Sequence, residues 1–248
     1  RPMFAEVQPA IIDDPLGAIV TYTAGNRDLT RFTGLAHVTS SDNTWPDAVA
    51  VSAHTNMGVV FDYFLQTHGR LSIDGRGGSM FSVVHVTDEG APMDNAFWNG
   101  AYVAYGDGNS AFAPLAKALD VAAHEMTHGV IQNTVNLEYR NQSGALNESF
   151  ADVFAAMVDR DDWRMGEDVV RSLELFPSGA LRDMSNPHNG SQEGRRSWQP
   201  AHMSEFRELP GSVDNGGVHV NSGIPNRACF LIATALGRDK TERIYYHI

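Results

Sequence analysis

The sequence predicts an α+β protein with two lobes, a β-rich N-terminal lobe over residues 1–135 and a mainly α-helical C-terminal lobe over residues 136–248. Two observations support this fold class. Short runs of β-branched residues bounded by glycine and polar residues occur early, whereas long apolar runs at helical spacing dominate from about residue 114. Strands early and helices late are typical of α+β proteins.

The predicted elements follow in chain order. Residues 17–23 and 81–87 are predicted as strands, because both are β-branched runs with turn residues at their ends. Residues 47–67 carry apolar side chains at helical spacing, and Gly69 is predicted to end that helix. Further helices are predicted over about 114–133 and 145–158, and a last helical pattern begins near Ile224.

Composition limits the classes of partner. The formal charge is -12, from 18 basic and 30 acidic residues, which argues against nucleic acid or an anionic membrane. The same acidity permits cation binding. The single cysteine, Cys229, excludes an intrachain disulfide, and no apolar run reaches the roughly 18 residues of a membrane span.

A metal site is predicted in the second predicted helix, over about 114–133. His124 and His128 are four residues apart, so both imidazoles lie on one helix face, and Glu125 is rotated away from that line. On this motif alone, two unrelated histidines on a helix remain the alternative. Zinc in a catalytic site takes three protein ligands and one open position. Glu148 lies twenty residues later on the next predicted helix, and Asp152 follows one turn on, suited to orient a ligating histidine.

These residues belong to a larger set of motifs in one order: 95–100 (Asn-Ala-Phe-Trp-Asn-Gly), 124–128, 144–148, 179–182 and 214–224. With them the chain resembles the thermolysin family of neutral zinc metalloproteases, over roughly residues 40–248. The resemblance implies one catalytic zinc held by His124, His128 and Glu148 in a cleft between the lobes. It implies an endopeptidase that cleaves on the amino side of bulky hydrophobic residues.

The resemblance also implies a role for each matching residue. Glu125 is the general base, His219 and Tyr139 are donors to the oxyanion, and Asp214 orients His219. Asn95, Ala96 and Arg182 match residues that hold the peptide main chain. The pocket for the residue after the scissile bond is expected to be apolar and formed by Phe112, Leu115, Val121, Met165, Val169 and Leu181. Asp152 and Asn147 are expected behind the zinc ligands.

The sequence departs from the family at its calcium site. The matching carboxylates are Asp120, Asp159, Asp162 and Glu167, but Arg164 stands at a further ligand position, so one calcium is expected and not two. The end at Ile248 is expected to be a truncation or a processed terminus, with a separate C-terminal fragment as a possible partner. The resemblance further implies secretion and an inhibitory pro-segment. The alternatives are a catalytically silent binding protein that kept this fold and a zinc hydrolase of another amide.

Overall fold

The computed structural model describes residues 3–6, 17–30, 34–190, 193 and 197–248. Its N-terminal part is built around a seven-stranded sheet in which β2, β4 and β7 are parallel neighbours and β6 is an antiparallel edge strand. The strands are β1 (Phe4–Glu6), β2 (Ala18–Asp28), β3 (Ala36–His37), β4 (Met80–Asp88), β5 (Ala91–Pro92), β6 (Ala96–Trp98) and β7 (Val103–Gly106).

The two predicted strands are confirmed as β2 and β4, and both are longer than predicted. β4 lies at the centre of the sheet, where Val83 and Val84 point to opposite faces and both are fully buried. The predicted first helix is confirmed as α1 (Ala48–His68). The Asp47 carboxylate caps its N-terminus, and Gly69 ends it in a left-handed conformation, at φ 67°.

The predicted start of the next helix near Pro114 is wrong. A 3-10 turn over Leu115–Lys117 is followed by Ala118 in an extended conformation, and α2 (Leu119–Gln132) begins only after it. The carbonyl of Ala116 accepts a hydrogen bond from the Asn56 side chain at 3.0 Å instead of continuing a helical ladder. The side chain of Asn56, sixty residues away in the chain, therefore takes the place of the backbone N–H that would bond this carbonyl in an α-helix.

The C-terminal part is mainly helical, as predicted. It contains α3 (Asn141–Val158), α4 (Asp214–Asn221), α5 (Gly223–Leu236) and α6 (Arg238–His247), with a two-stranded sheet of β8 (Arg164–Met165) and β9 (Arg182–Asp183). α3 begins four residues before the predicted start and packs along α2, which brings the helices of the predicted zinc ligands together. No helix among the described residues is both long and apolar enough to span a membrane.

The buried face of α6 differs from the apolar spacing in its sequence. Ile244 and Ile248 are 41% and 78% exposed, whereas Thr241 and Glu242 are buried. Glu242 accepts a hydrogen bond from Tyr63 of α1 at 3.0 Å, and Tyr246 stacks on His68 of α1. Polar and aromatic contacts with α1 thus determine which face of α6 packs.

Candidate active site

Three side chains from α2 and α3 form a compact group of metal-ligand atoms. In the part of the chain that the structure describes, His124, His128 and Glu148 are the one group of three or more His, Cys, Asp or Glu whose ligand atoms lie within 4.8 Å of one another. The two Nε2 atoms face each other at 3.0 Å, Glu148 Oε2 lies 3.5 Å from His124 Nε2, and Glu148 Oε1 lies 3.4 Å from His128 Nε2. The donor set is that of a catalytic zinc site.

Each histidine is oriented through its other ring nitrogen. Asp152 Oδ1 lies 2.8 Å from His124 Nδ1, and Asn147 Oδ1 lies 2.7 Å from His128 Nδ1. With zinc bound, both oxygens would accept an Nδ1–H, so that each Nε2 lone pair would be free to bind the metal. Asp152 and Asn147 therefore occupy the orienting positions that the sequence predicts.

The charges of this group fit a bound cation. Glu148 is 1% exposed, and its Oε2 atom has no hydrogen-bond partner, which is costly for a buried carboxylate. Burial alone would lower the pKa of His124, but the hydrogen bond to Asp152 and the negative charges of Asp152 and Glu148 raise it to about 10. Burial lowers the pKa of His128 to about 4. Zinc binding would displace the proton that these carboxylates hold on His124.

Glu125 lies beside the metal ligands without joining them. Its side chain is buried, and burial is the main reason why its pKa rises to about 7. The backbone N–H of Trp98, on edge strand β6, donates to Glu125 Oε2 at 2.8 Å. A carboxylate with a pKa near neutrality, fixed against the sheet edge, is suited to accept and return a proton.

Two further groups reach the same side of Glu148. The Tyr139 hydroxyl donates to Glu148 Oε1 and lies 3.3 Å from His219 Nε2. His219 Nε2 is itself 3.4 Å from Glu148 Oε1, and its Nδ1 lies 2.5 Å from Asp214 Oδ1. Burial would lower the pKa of His219, but the hydrogen bond to Asp214 raises it. The structure thus brings both predicted oxyanion donors to the metal group.

A left-handed turn at the start of α4 places His219. Asp214, Asn215, Gly216 and Gly217 all have positive φ, and a Cβ on Gly216 would lie 2.1 Å from the Asn141 side chain. This turn directs the Asp214 carboxylate to the backbone N–H of His219, at 2.8 Å, as well as to its ring. Steric exclusion of a side chain therefore explains why the 214–224 motif has glycines at this turn.

Comparison with known proteins agrees with this geometry. Residues 10–132 match the thermolysin metallopeptidase catalytic domain, and residues 135–248 match the thermolysin metallopeptidase α-helical domain. The chain belongs to the thermolysin family. It is 45% identical to bacillolysin of Brevibacillus brevis over 240 residues and 39% identical to thermolysin of Bacillus sp. strain EA1 over 244 residues. Each alignment covers 92% of this chain and 42% of the relative.

Membership in the thermolysin family extends to the three-dimensional structure. The precursor of protealysin, a metalloproteinase from Serratia proteamaculans, superposes with a TM-score of 0.80 at 32% identity, covering 96% of this chain and 77% of that one. The two-part α+β fold predicted from the sequence is therefore confirmed. The chain spans less than half the length of the two curated relatives above.

The residues predicted to hold the peptide main chain lie around the zinc group. Asn95 is exposed and directly precedes β6, and Ala96 lies on that edge strand. Arg182 donates two hydrogen bonds to Asp152, at 2.8 and 2.5 Å, and its Nη2 atom is 3.5 Å from His124 Nδ1. Arg182 thus neutralises the carboxylate behind the metal ligand, in addition to any contact with a peptide.

The residues of the predicted apolar pocket are largely core residues. Phe112, Leu115, Met165 and Val169 are buried, whereas Val121 and Leu181 are partly exposed. All of them belong to or pack against one hydrophobic cluster, and the Phe112 and Phe176 ring centroids are 5.0 Å apart.

The four predicted calcium ligands are not drawn into a set as close as the zinc ligands. Backbone N–H groups of Val121 and Gly166 occupy the two oxygens of Asp120. The backbone N–H and the guanidinium of Arg164 occupy the two oxygens of Asp162, each at 2.7 Å. The Arg164 guanidinium thus pairs with Asp162, one of the four predicted calcium ligands.

Three residues of this site were missed from the sequence. Asn226 of α5 donates to Asp152 Oδ2 at 2.8 Å, and the Trp98 indole N–H donates to Gln132 Oε1 at 2.7 Å. Trp98 belongs to the 95–100 motif, so the sequence did indicate that it lies near the active site. Asn226 and Gln132 had none, because single amide side chains on helices do not stand out from surface residues.

Proposed function

We propose that this chain is a zinc-dependent endopeptidase that cleaves on the amino side of bulky hydrophobic residues. The convergence of the zinc group, the base Glu125 and two hydrogen-bond donors beside an unpaired sheet edge carries this proposal. A binding protein that retained only the fold would not need a buried base or the paired donors.

Each residue has a defined task in the proposed reaction. When bound, zinc activates a water and polarises the carbonyl of the scissile bond. Glu125 accepts a proton from the attacking water and passes it to the leaving amine. Tyr139 and His219 donate hydrogen bonds to the oxygen that becomes negative, and Asp214 keeps a proton on His219 Nδ1.

The sheet edge supports a role in holding an extended peptide. In the described sheet, β6 pairs with β7 on one side and ends the strand order on the other. An extended peptide adds to such an edge through main-chain hydrogen bonds. Asn95 and Ala96 lie at this edge, where the peptide would run, and Arg182 lies beside His124 of the zinc group.

The apolar pocket residues support the proposed specificity. A site of this kind gains about 25 cal/mol per Å² of apolar surface buried and rejects a charge that has no partner. We therefore infer that Leu, Ile or Phe follows the scissile bond. Peptides that differ at this position alone, Leu against Asp, test the inference through kcat/KM, and faster cleavage before Asp would contradict it.

We further propose one calcium near Asp120, Asp159, Asp162 and Glu167. Glu167 Oε2 is buried without a partner, and burial together with the charge of Asp120 raises the pKa of Glu167 to about 7. Unbalanced carboxylates of this kind favour a cation. Arg164 already balances Asp162, which argues for one ion and not two.

Location, partners and lobe boundary are likewise proposals. The extracellular elastase of Staphylococcus epidermidis is 47% identical over 189 residues, 75% of this chain and 35% of that protein, which supports secretion. The similarity to a protealysin precursor supports an inhibitory pro-segment. We keep the proposed lobe boundary between residues 135 and 136.

Casein cleavage with and without a chelator tests the proposal. Wild type should bind about one zinc per chain, lose activity with the chelator and regain it with zinc. Glu125→Gln should keep the zinc and lose roughly 10²–10⁴-fold in rate, because the base is removed and the ligands are not. Glu174→Gln, at an exposed site, is the control. Zinc binding without cleavage would indicate the binding protein, and cleavage of small amides alone would indicate a different hydrolase.

A further inference from the structure

Asp94 has more hydrogen bonds than a surface carboxylate needs, although it is not part of the zinc group. Its two oxygens accept the backbone N–H groups of Asn109, Ser110, Ala111 and Phe112, at 2.5, 2.9, 3.0 and 3.1 Å. Burial would raise the pKa of Asp94, but these four bonds lower it. The carboxylate is therefore an ionised centre around which the segment 109–112 folds.

The residues on either side of Asp94 are also joined through the backbone to the residues that lead into segment 109–112. Gly108 N–H donates to the Met93 carbonyl at 3.1 Å, and Gly106 N–H donates to the Asn95 carbonyl at 3.0 Å. Gly108 has φ 72°, and a Cβ there would lie 2.1 Å from the Phe112 carbonyl oxygen. The segment thus turns back tightly beside the residues that lead into edge strand β6.

The far end of the segment reaches the C-terminal part of the molecule. Phe112 forms an isolated antiparallel bridge with Val170, and Ala113 N–H donates to the Val169 carbonyl at 2.7 Å. The Ala111 carbonyl accepts from Arg171 N–H at 2.9 Å. One carboxylate therefore connects the proposed peptide-binding edge to a segment that contributes Val169 to the proposed pocket.

We propose that Asp94 is a positioning residue for substrate selection. By holding segment 109–112 against the start of β6, it fixes the Phe112 side chain of the pocket relative to the Asn95–Ala96 backbone. The distance between the site that binds the peptide main chain and the pocket that binds the side chain after the scissile bond is thereby fixed. This inference rests on the proposed endopeptidase function and adds a residue that touches neither the zinc group nor the peptide.

Selectivity is the quantity that separates positioning from simple stabilisation. In Asp94→Asn, an NH₂ group replaces one acceptor and faces two backbone donors, so segment 109–112 should shift. The ratio of kcat/KM for peptides with Leu and with Ala after the scissile bond should fall about tenfold, since pocket contacts of this size discriminate by roughly 10- to 200-fold. The loss should lie mainly in KM for the Leu peptide, with the zinc content unchanged.

Two variants serve as controls. Asp74→Asn makes the same substitution in another loop, where Asp74 Oδ1 accepts the N–H groups of Arg76 and Gly78 and an amide oxygen can still accept both, so the Leu/Ala ratio should not change. Asp94→Glu keeps the negative charge and should retain part of the Leu/Ala ratio. If Asp94→Asn does not fold, the ratio in Asp94→Glu tests the positioning role instead.

The outcomes are distinct. An unchanged Leu/Ala ratio in Asp94→Asn, or in Asp94→Glu if only that variant folds, would overturn the positioning role while leaving the endopeptidase function intact. The same follows if Asp74→Asn lowers the ratio equally. No cleavage by zinc-loaded wild type would overturn the proposed function and this inference together.

Discussion

Two groups of carboxylates face α2, and their charges are balanced in different ways. At the zinc group, Asp152 is fully buried and accepts hydrogen bonds from His124, Arg182 and Asn226, and the Arg182 charge is the main influence that holds its pKa well below the usual range against the effect of burial. Near the start of α2, burial raises the pKa of Asp120 to about 6. Repulsion by nearby carboxylates adds to the rise.

The comparison shows that burial does not determine the sign of these shifts. Burial favours the neutral acid at both places, and only the partners differ. The zinc region carries its own balancing cations. The acidic region depends on protons or on an added cation, apart from Asp162, which Arg164 neutralises.

The largest loss of stability should follow from removing a charged partner at the zinc group. Asp152→Ala leaves the Arg182 charge, 11% exposed, without its partner, which typically costs about 3–5 kcal/mol of unfolding free energy. It also removes the acceptor that orients His124, so zinc affinity should fall roughly 10- to 100-fold. Urea unfolding and a competitive zinc titration measure the two losses.

The matched change in the acidic region is Asp159→Ala. Burial and neighbouring carboxylates raise the pKa of Asp159, so its removal should leave unfolding free energy and zinc affinity nearly unchanged. An equal loss in both variants would show that the two regions do not differ in the proposed way.

The next effect is a pH dependence specific to the acidic region. The folded-state pKa values of Asp120, about 6, and Glu167, about 7, lie above those of the unfolded chain. The folded state therefore binds more protons, and this stability is present at pH 4 and lost as the pH rises through 6 to 7. The loss should be on the order of 2 kcal/mol without calcium, and saturating calcium should abolish it.

Urea unfolding of the zinc-loaded protein at pH 5 and pH 8, with and without calcium, measures this dependence. Asp120→Asn is the control, because an amide cannot titrate and the Asp120 charge that helps to raise the pKa of Glu167 is removed, so the variant should lack part of the slope. An undiminished slope in this variant that also ignores calcium would assign the titration to other groups.

The sequence was most informative where chemistry depends on local spacing. His124 and His128 share a helix face by periodicity, and the order of strands and helices follows from patterns of the same kind, whereas Glu148 on α3 was assigned through the family's motifs. The break at Ala118 could not be predicted, because a side chain from α1 creates it. The polar buried face of α6 likewise depends on Tyr63, which is 179 residues away in the chain. Contacts of this kind leave no periodic signal.

His85 provides a third way of balancing carboxylates and a smaller effect. Its ring nitrogens lie 2.7 Å from Asp107 and 2.8 Å from Asp47, and the hydrogen bond to Asp107 is the largest cause that raises its pKa to about 9. The unfolded value is near 6.5, so this stability is full below that pH and lost as the pH rises through 9.

The expected loss is about 1 kcal/mol, since the pair is partly exposed and screened. Urea unfolding at pH 7 and pH 9.5 checks it, with His85→Gln as the control that should lose stability at pH 7 and show no further fall. Stability of the wild type that is constant over this range would mean that His85 is neutral in the folded protein.

The smallest effect on stability is expected from Arg164→Gln, which tests whether Arg164 balances the charge of the acidic region. Its side chain and that of Asp162 are 42% and 33% exposed, so Arg164→Gln should cost less than about 1 kcal/mol. Calcium should respond more. Removing a positive charge within a few ångströms of a cation site changes binding by about 1 kcal/mol when the effective dielectric constant is high, which corresponds to roughly fivefold tighter binding.

Arg160→Gln is the matched control, because Arg160 pairs with exposed Asp239 at 2.5 Å and not with Asp162. Titration calorimetry should show tighter calcium binding in Arg164→Gln alone, either as a higher affinity at one site or as a second ion. If both variants bind calcium as the wild type does, Arg164 is a surface ion pair that does not balance the cluster. The carboxylates of the acidic region would then be stabilised by the backbone N–H groups that they accept, and not by a nearby positive charge. The two regions would differ in their hydrogen-bond geometry alone.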